Sequence, residues 1–328
     1  MADNSSTSSS KLTLLIKVAV VALIVVLGDF IISKGLEKVY FNQESGHEFK
    51  TRNAIEHVTD SILIFGSSRA YRHYRSSTFG QKLNTSCFNL GRMGQSLFYH
   101  LALQELIFER HSPRLIVLDV DPNELFANQT HYDRLSCLLP FYDSQTIVQG
   151  HLEHLRGQKE RIKNLSSTYP YNSTIIASLR TKFVDDDPDY KIMKGYKPYK
   201  STLSRDDYAE KLQATFKFDN LMDQEIDENK VEYLQRFIRN AKAKKIPVVV
   251  VVSPMLYKIS NHKSLELIES VCKEEETYFI NFYGDKKFSD YSLFYDLNHL
   301  SSDGADEFSQ FMASALKRLH QDGLERMR

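Results

Sequence analysis

The sequence predicts an α/β fold, with a doubly wound and mainly parallel sheet preceded by one N-terminal transmembrane helix. Short apolar runs rich in branched residues alternate with amphipathic helical patterns, as repeated strand–helix–strand units require. These runs end at turn residues, as buried parallel strands do. A further apolar run near the N-terminus is long enough to cross a bilayer as a helix.

This N-terminal run extends over Leu12–Ile32 and is interrupted only by Lys17 and Asp29. Both charges lie close to its ends, where a side chain reaches the membrane interface. A cleaved signal peptide is the alternative, but no small-x-small cleavage site follows the run. We therefore expect a polar, disordered tail over residues 1–10 and an uncleaved anchor over residues 11–33.

The charges that flank the anchor say little about its orientation in the membrane. Lys11 and Lys17 on one side are matched by Lys34 and Lys38 on the other, so the distribution of positive charge is nearly symmetrical. A short tail before a single anchor usually stays in the cytoplasm, which predicts that the large domain is extracytoplasmic. Residues 34–59, which are mixed and charged, are predicted to form a juxtamembrane segment.

The large domain is predicted to cover residues 60–328. Its strand candidates are SILIFG, SCFNLG, RLIVLDV, IPVVVVVSP and TYFINFY. Over residues 127–227 the alternation gives way to a stretch rich in tyrosine, charge and turn residues, which predicts a long insertion. We expect this insertion to form a lid or one wall of a substrate cleft. Its tyrosines either stack on sugar rings or pack the insertion against the sheet.

Composition excludes several classes of function. Lys+Arg and Asp+Glu number 42 each, so no excess of positive charge attracts nucleic acid. Cys87, Cys137 and Cys272 lie far apart and lack zinc or redox spacing, so they are predicted to be buried thiols. No His/Cys/Glu cluster has the spacing of a metal site. The sequence therefore predicts neither a metal nor another cofactor.

A candidate nucleophile follows the first predicted strand, in the turn Gly66-Ser67-Ser68. A turn of small residues at the carboxyl end of a strand can expose a hydroxyl beside the start of the next helix. The alternatives are a helix cap or a turn whose amides cradle a phosphate. The Gly-Lys-Ser/Thr ending of a phosphate-binding loop is absent.

A candidate base and its orienting carboxylate lie near the C-terminus, at His299 and Asp296. Three residues apart on a loop, the carboxylate can hold one ring nitrogen while the other nitrogen faces a serine. The alternative is a helix cap beside a surface histidine. His73, like the other histidines with no recognisable partner, is predicted to have a surface or structural role.

Together these residues resemble the SGNH/GDSL hydrolase superfamily over residues 60–320. They are similar in particular to its membrane-anchored branch, which includes DltD-like D-alanyl transfer proteins and alginate O-acetylation proteins. The resemblance implies an SGNH-like, flavodoxin-like sheet in which Ser68 is the nucleophile, His299 the base and Asp296 its orienter.

The same resemblance implies two oxyanion-hole donors. The second family block is similar to Asn89-Leu90-Gly91, which assigns one donor to the Gly91 amide. The third block, Gly-x-Asn-Asp, is altered to DPNEL and assigns the other donor to the Asn123 side chain. Asp121 replaces the family's glycine there, and its carboxylate would oppose the charge that an oxyanion hole stabilises.

The function implied is that of a serine esterase or O-acyltransferase acting on acyl esters of a cell-envelope glycan. Its expected partners are an envelope polysaccharide and a membrane-bound O-acyltransferase. The alternative is a non-catalytic SGNH-like protein that binds glycan, or assists envelope assembly, beside such an acyltransferase.

Overall fold

A computed structural model describes the chain in four stretches, residues 5–176, 193–215, 224–259 and 261–326. Strands and helices alternate along the chain. The strands are β1 (Ile62–Gly66), β2 (Cys87–Asn89), β3 (Leu115–Asp119), β4 (Val248–Val252) and β5 (Tyr278–Asn281). The helices are α1 (Ser5–Phe41), α2 (Gly46–Glu56), α3 (Ser68–His73), α4 (Ser76–Leu83), α5 (Leu97–Phe108), α6 (Gln129–Arg134), α7 (Thr146–Arg156), α8 (Lys159–Lys163), α9 (Arg205–Thr215), α10 (Glu228–Ala243), α11 (Lys263–Glu274) and α12 (Ser302–Arg326).

The chain divides into two compact units. The first consists of Met1–Phe49 with Ser136–Asp186, and the second of Lys50–Leu135 with Asp187–Arg328. The predicted insertion, residues 127–227, is thus shared between the two units.

The first unit contains α1, whose segment Lys11–Phe41 is long and apolar enough to span a membrane, with a mean hydropathy of 2.7 and no burial in its most apolar window. The helix begins at Ser5, within the stretch predicted as a disordered tail, and residues 1–4 lie outside the described residues. Towards its other end Tyr40 contacts Phe141 and Tyr171, with ring centroids 6.1 Å apart in each pair.

The second unit contains a five-stranded sheet in the order β2-β1-β3-β4-β5, with every neighbouring pair parallel. All five predicted strands are present, and the predicted parallel α/β architecture is confirmed. The strand order changes direction between β1 and β3. At such a switch point the carboxyl ends of two adjacent strands border a crevice.

The core of this unit lies around the central strands. Every residue of β1 and β4 is buried, because helices cover both faces of a parallel sheet. α12 packs against α3 and α4, while α5 packs against α10. Cys87 and Cys272, both buried and free, have thiol pKa values raised by burial, to about 12 for Cys272. In the first unit Cys137 is also buried, as predicted.

Candidate active site

Ser68 lies at a sharp turn between β1 and α3. β1 ends at Gly66, whose φ of +140° is a backbone conformation that other residues disfavour. A Cβ at Gly66 would lie 2.5 Å from the carbonyl oxygen of Asp119 and 2.8 Å from the Cβ of Ala70. Glycine therefore allows β1, β3 and α3 to approach closely. As a result, Ser68 begins α3 at the carboxyl edge of the sheet.

The structure brings Ser68, His299 and Asp296 together. Ser68 Oγ lies 2.7 Å from His299 Nε2. Nδ1 of the same ring lies 3.0 Å and 2.9 Å from the two carboxylate oxygens of Asp296. Because an ionised carboxylate only accepts hydrogen bonds, Nδ1 carries the proton and Nε2 accepts from the serine hydroxyl. This is the geometry of a nucleophile, a base and the carboxylate that orients the base.

Asp296 is held in its charged form. Burial favours the neutral acid, but the hydrogen bond and charge of His299 outweigh it, and the pKa of Asp296 is lowered from its ordinary value of 3.8. The amide N–H groups of Asn298 and His299 contribute to this shift, donating to Asp296 Oδ1 at 2.7 and 2.9 Å. A charged Asp296 can stabilise an imidazolium at His299.

Backbone hydrogen bonds fix the loop that carries His299. The Tyr295 N–H donates to the His299 carbonyl oxygen at 2.8 Å, which closes the loop on itself. The N–H groups of Leu256 and Tyr257, beyond β4, donate to the Leu297 carbonyl at 2.8 and 2.9 Å. The base is therefore positioned by the sheet as well as by its own loop, which limits its motion relative to the serine.

His73 has a structural role that links the two halves of the site. The Leu300 N–H donates to His73 Nε2 at 3.0 Å, and Nδ1 lies 3.0 Å from Ser253 Oγ. Because Nε2 accepts, Nδ1 donates to the hydroxyl. Burial, followed by the charge of His299, holds the pKa of His73 well below 6.5. Neutral His73 thus ties α3, which begins with Ser68, to the loop of His299.

The buried neutral state of His73 predicts a pH-dependent stability. The pKa of His73 is depressed in the folded state, so its contribution to the free energy of unfolding is complete above pH 6.5. This contribution is lost as the pH falls, because the unfolded chain then binds a proton that the folded chain excludes. By pH 5 the loss is about 2 kcal/mol. Thermal unfolding of the full chain in detergent at pH 7.5 and pH 5 should show a smaller difference for His73→Gln than for the unaltered chain. His57→Gln provides the control, because the side chain of His57 is 66% exposed and its contact with Glu56 contributes little to stability.

Arg69 joins the start of α3 to the end of β3. Its Nη2 donates to the Val120 carbonyl at 2.7 Å, and its Nη1 lies 2.9 Å from Met255 Sδ. The guanidinium also lies 3.7 Å from the carboxylate of Asp119 and 3.5 Å from that of Asp121. Arg69 and Asp119 are both buried, so their attraction is poorly screened by water, whereas the side chain of Asp121 is 44% exposed. The negative charge of Asp121, which the sequence placed beside the oxyanion hole, therefore has a cationic partner.

Asp119 belongs to a buried polar network. The Tyr74 hydroxyl donates to Asp119 Oδ2 at 2.6 Å. Burial raises the pKa of Asp119, although Arg69 and the hydroxyl of Tyr74 favour its charged form. Burial also raises the pKa of Tyr74 well above 10, which keeps its phenol protonated as a donor. The network fixes the carboxyl end of β3 directly beneath the start of α3.

Gly91 lies against α3, but its amide is engaged. A Cβ at Gly91 would clash with the Tyr71 nitrogen and would lie 2.8 Å from the Ala70 carbonyl carbon, so a larger residue would push α3 away. The Gly91 N–H donates to Asn89 Oδ1 at 2.9 Å. The side-chain nitrogen of Asn89, Nδ2, donates in turn to the carbonyls of Ala70 and Tyr74. To act on an oxyanion, the Gly91 N–H must be released by Asn89 or shared with it.

Asn123 lies in the turn that follows β3. Its backbone N–H donates to Asp121 Oδ1 at 2.9 Å. Its side-chain Oδ1 is buried and has no hydrogen-bond partner in the part of the chain that the structure describes. No hydrogen bond joins its side chain to Ser68 or His299 within those residues. Its role as an oxyanion donor therefore stays a prediction.

The comparisons with known proteins place the chain in a family. A family described as "Protein of unknown function (DUF1574)" matches residues 29–316, a range that includes Ser68, Asp296 and His299. The chain belongs to this family. A comparison with curated proteins found no match. The family description assigns no activity, so the chemistry of this DUF1574 protein is argued from its own side chains.

In this DUF1574 protein a stack of side chains, Arg72, Tyr199 and Tyr295, borders the triad. The rings of Tyr199 and Tyr295 are stacked, with centroids 3.9 Å apart and planes 9° apart. The Arg72 guanidinium carbon lies 3.9 Å from the Tyr199 centroid and must cover its other face. The Tyr199 and His299 centroids are 5.7 Å apart, and Tyr295 is 37% exposed. Part of the predicted insertion, residues 127–227, therefore lies at the site.

The described residues of this DUF1574 protein support one kind of chemistry most directly. Among them, no group of three or more His, Cys, Asp or Glu side chains is placed to hold a metal ion. A serine hydroxyl hydrogen-bonded to an oriented imidazole can be activated to attack an acyl carbonyl.

Proposed function

We propose that this chain is a membrane-anchored serine esterase or O-acyltransferase of the SGNH type, acting on acyl esters of a cell-envelope glycan. One observation carries the proposal, namely the continuous hydrogen-bonded series from Ser68 through His299 to Asp296. A helix cap or a surface histidine would not require this alignment of three side chains from distant parts of the chain.

In the proposed mechanism, His299 Nε2 takes the hydroxyl proton as Ser68 Oγ attacks the ester carbonyl. The imidazolium, stabilised by Asp296, gives that proton to the departing alkoxide, which leaves an acyl group on Ser68. His299 then takes a proton from a water or a sugar hydroxyl as its oxygen attacks the acyl carbonyl, and gives that proton to Ser68 Oγ as the bond between Ser68 and the acyl group breaks. The oxyanion would be stabilised by the amides of Ser68 and Gly91 and by the Asn123 side chain, and losing one donor costs about 10²- to 10³-fold in rate.

The strand order supports the SGNH-like assignment of the fold. The order 2-1-3-4-5 is the doubly wound order of flavodoxin-like sheets, in which ligands bind where the order reverses. Ser68 follows β1, and Asn123, a proposed oxyanion donor, lies in the turn after β3, so residues near the reversal carry the proposed chemistry. The resemblance of the Gly66-Ser67-Ser68 and Asp296/His299 motifs to SGNH hydrolases points the same way.

The proposed substrate class rests on the anchor and on the resemblance. A helix able to span a membrane would hold the enzyme at the envelope. We place the second unit on the extracytoplasmic side, where envelope glycans are modified. A membrane-bound O-acyltransferase that delivers acyl groups across the bilayer is the partner that a transferase of this kind would need.

The proposed activity is tested with the full chain in detergent micelles. Release of nitrophenol from a nitrophenyl acetate should show a burst followed by a slower steady rate, as an acyl-enzyme requires. If the enzyme is a transferase, an added polysaccharide should raise the steady rate and become acylated. A hydrolase would give the burst without acylation, and the absence of any turnover above the Ser68→Ala background would count against both activities.

The stack formed by Arg72, Tyr199 and Tyr295 predicts how a glycan is recognised. The exposed face of Tyr295 can pack against the C–H face of a sugar ring, because the aromatic face carries negative charge. Tyr295→Ala should raise KM for an acylated polysaccharide about tenfold, a loss of about 1.4 kcal/mol. Turnover of nitrophenyl acetate, which lacks a sugar, should change little. Tyr278→Ala, a matched change at an exposed tyrosine on β5, should affect neither substrate, and an equal loss on both substrates would contradict the glycan role.

A non-catalytic function is the second candidate. It is favoured by the hydrogen bond between the Gly91 N–H and Asn89, which occupies a donor that the mechanism requires. A binding protein would keep its cleft but would not need the serine. In the native host, Ser68→Ala and His299→Ala should then behave like the unaltered chain, whereas the enzymatic proposal expects both variants to be defective.

A further inference from the structure

Within the first unit, a short segment after α8 binds the end of the apolar run of α1. The carboxylate of Asp29 accepts hydrogen bonds from the Ser166 hydroxyl at 2.9 Å, the Ser167 N–H at 2.5 Å and the Thr168 hydroxyl at 2.6 Å. The Ser33 hydroxyl donates to the Ser167 carbonyl at 2.7 Å. A carboxylate in a membrane helix is tolerated where polar partners satisfy it, and this segment supplies them.

The direction of the segment along α1 is defined by two contacts. Ser166 lies at Asp29, in the last turn of the apolar run Leu12–Ile32, whereas Tyr171 lies at Tyr40, beyond that run. These two positions on α1 are about 16 Å apart along the helix axis, at 1.5 Å per residue. From Tyr171 back to Ser166 the chain therefore runs towards the membrane-spanning part of α1. Leu165 directly precedes Ser166, and its N–H donates to the Ile162 carbonyl at 3.2 Å, so both residues lie close to the position of Asp29.

Those preceding residues expose apolar side chains. Leu165 is 82% exposed and Ile162 is 70% exposed, so both are more exposed than any large apolar side chain described in α1. The intervening and flanking Lys159, Arg161 and Lys163 are also exposed. Two of these cations have carboxylate partners: Lys163 Nζ lies 2.9 Å from the buried Glu160, and Arg161 Nη2 lies 2.7 Å from Glu153. The outer surface thus combines apolar side chains with long cationic ones, as segments at a bilayer interface do.

We propose that Ile162 and Leu165 form a second membrane contact, in which they enter the bilayer interface beside α1. The occupant of this apolar surface is lipid. The hydrogen bonds between Asp29 and the segment's hydroxyls fix Ile162 and Leu165 at the boundary of the hydrocarbon layer, and the exposed Lys159 reaches anionic headgroups. α1 is then held to the membrane surface by a lateral contact as well as by its own span. This contact does not depend on the proposed enzymatic activity.

The chain contains no tryptophan, so a single introduced tryptophan reports its own environment. Leu165→Trp, Phe30→Trp and Lys38→Trp would each be made in the full chain and placed in nanodiscs that contain anionic phospholipid, with or without bromine on the acyl chains. Phe30 lies in the apolar run of α1 and Lys38 lies about 12 Å further along the same helix. The two α1 variants therefore give the bromolipid quenching expected inside the apolar run and beyond it.

We expect bromolipid to quench Leu165→Trp nearly as strongly as Phe30→Trp and well above Lys38→Trp, with a blue-shifted emission and weak quenching by aqueous acrylamide. A contact surface for another protein would leave the tryptophan in water in nanodiscs that hold this chain alone. Leu165→Trp that is quenched by bromolipid no more than Lys38→Trp, and strongly by acrylamide, would overturn the proposal. Ile162→Trp repeats the test if Leu165→Trp does not fold.

Discussion

Replacing Ser68 with alanine is expected to abolish esterase activity, lowering kcat by about 10⁵-fold or more. The side chain provides the only bond to the acyl group in the proposed mechanism, and removal of a triad nucleophile leaves little more than the contribution of the oxyanion donors. The measurement is nitrophenyl acetate turnover by the full chain in detergent, beside a thermal unfolding curve. The curve should be nearly unchanged, because loss of a half-buried hydroxyl at the edge of the sheet removes no core packing.

The neighbouring serine supplies the control. Ser67 precedes α3 at the capping position, but its side chain makes no capping hydrogen bond. Ser67→Ala should therefore retain activity within a few-fold. If Ser68→Ala keeps most of the activity while Ser67→Ala loses it, the nucleophile has been assigned to the wrong hydroxyl.

Replacing Arg69 with methionine is expected to destabilise the second unit by about 3–5 kcal/mol. Methionine preserves much of the side-chain volume, so the loss is mainly electrostatic. Asp119, buried beside the guanidinium, loses its cationic partner. Thermal unfolding of the full chain measures the effect. Arg239→Met is the matched control, because Arg239 is 62% exposed and its ion pair with Glu275 contributes little.

The pH dependence of the stability of Arg69→Met distinguishes the loss of charge from the loss of packing. Burial raises the pKa of Asp119, so the folded state binds its proton more tightly than the unfolded state does. Stability from this group is therefore highest below its unfolded pKa and falls as pH rises towards the folded value. Without Arg69 the folded pKa of Asp119 rises further and the fall extends to higher pH, so Arg69→Met should be more destabilised at pH 8 than at pH 5. Adding Asp119→Asn should recover part of the loss, and no recovery would indicate packing instead.

Much of the sheet could be predicted because each strand is encoded locally. The runs in β1, β3 and β4 are branched and apolar, and each ends at a turn or a polar residue. Ser68 and the Asp296/His299 pair were also recognisable, since a small-residue turn after a strand and an Asp-x-x-His loop each have a short-range pattern. The hydrogen bond between Ser68 and His299 could not be derived from either pattern, because the alignment of two loops depends on the strand order.

The residues that sequence reasoning missed act through long-range contacts. Arg69 adjoins Ser68, yet its carboxylate partners are the last residue of another strand and a residue in the turn after it, and nothing in the sequence connects them with Arg69. His73 lies five residues after Ser68 on the same short helix, a weak signal that it could reach the site. Its bond to the Leu300 amide depends on tertiary packing. The hydrogen bond from the Gly91 N–H to Asn89 Oδ1 could not be predicted either, because a match to a motif does not show whether a backbone amide already has a partner.

Covalent labelling of Ser68 tests the central claim most directly. The full chain in detergent would be treated with a fluorophosphonate, digested, and analysed by tandem mass spectrometry. The proposed site predicts one phosphonylated peptide, modified at Ser68, with labelling lost in Ser68→Ala and strongly slowed in His299→Ala. A folded chain that remains unlabelled, or that carries the label on another serine while Ser68 is unmodified, would contradict the assignment of Ser68, His299 and Asp296 as a catalytic triad.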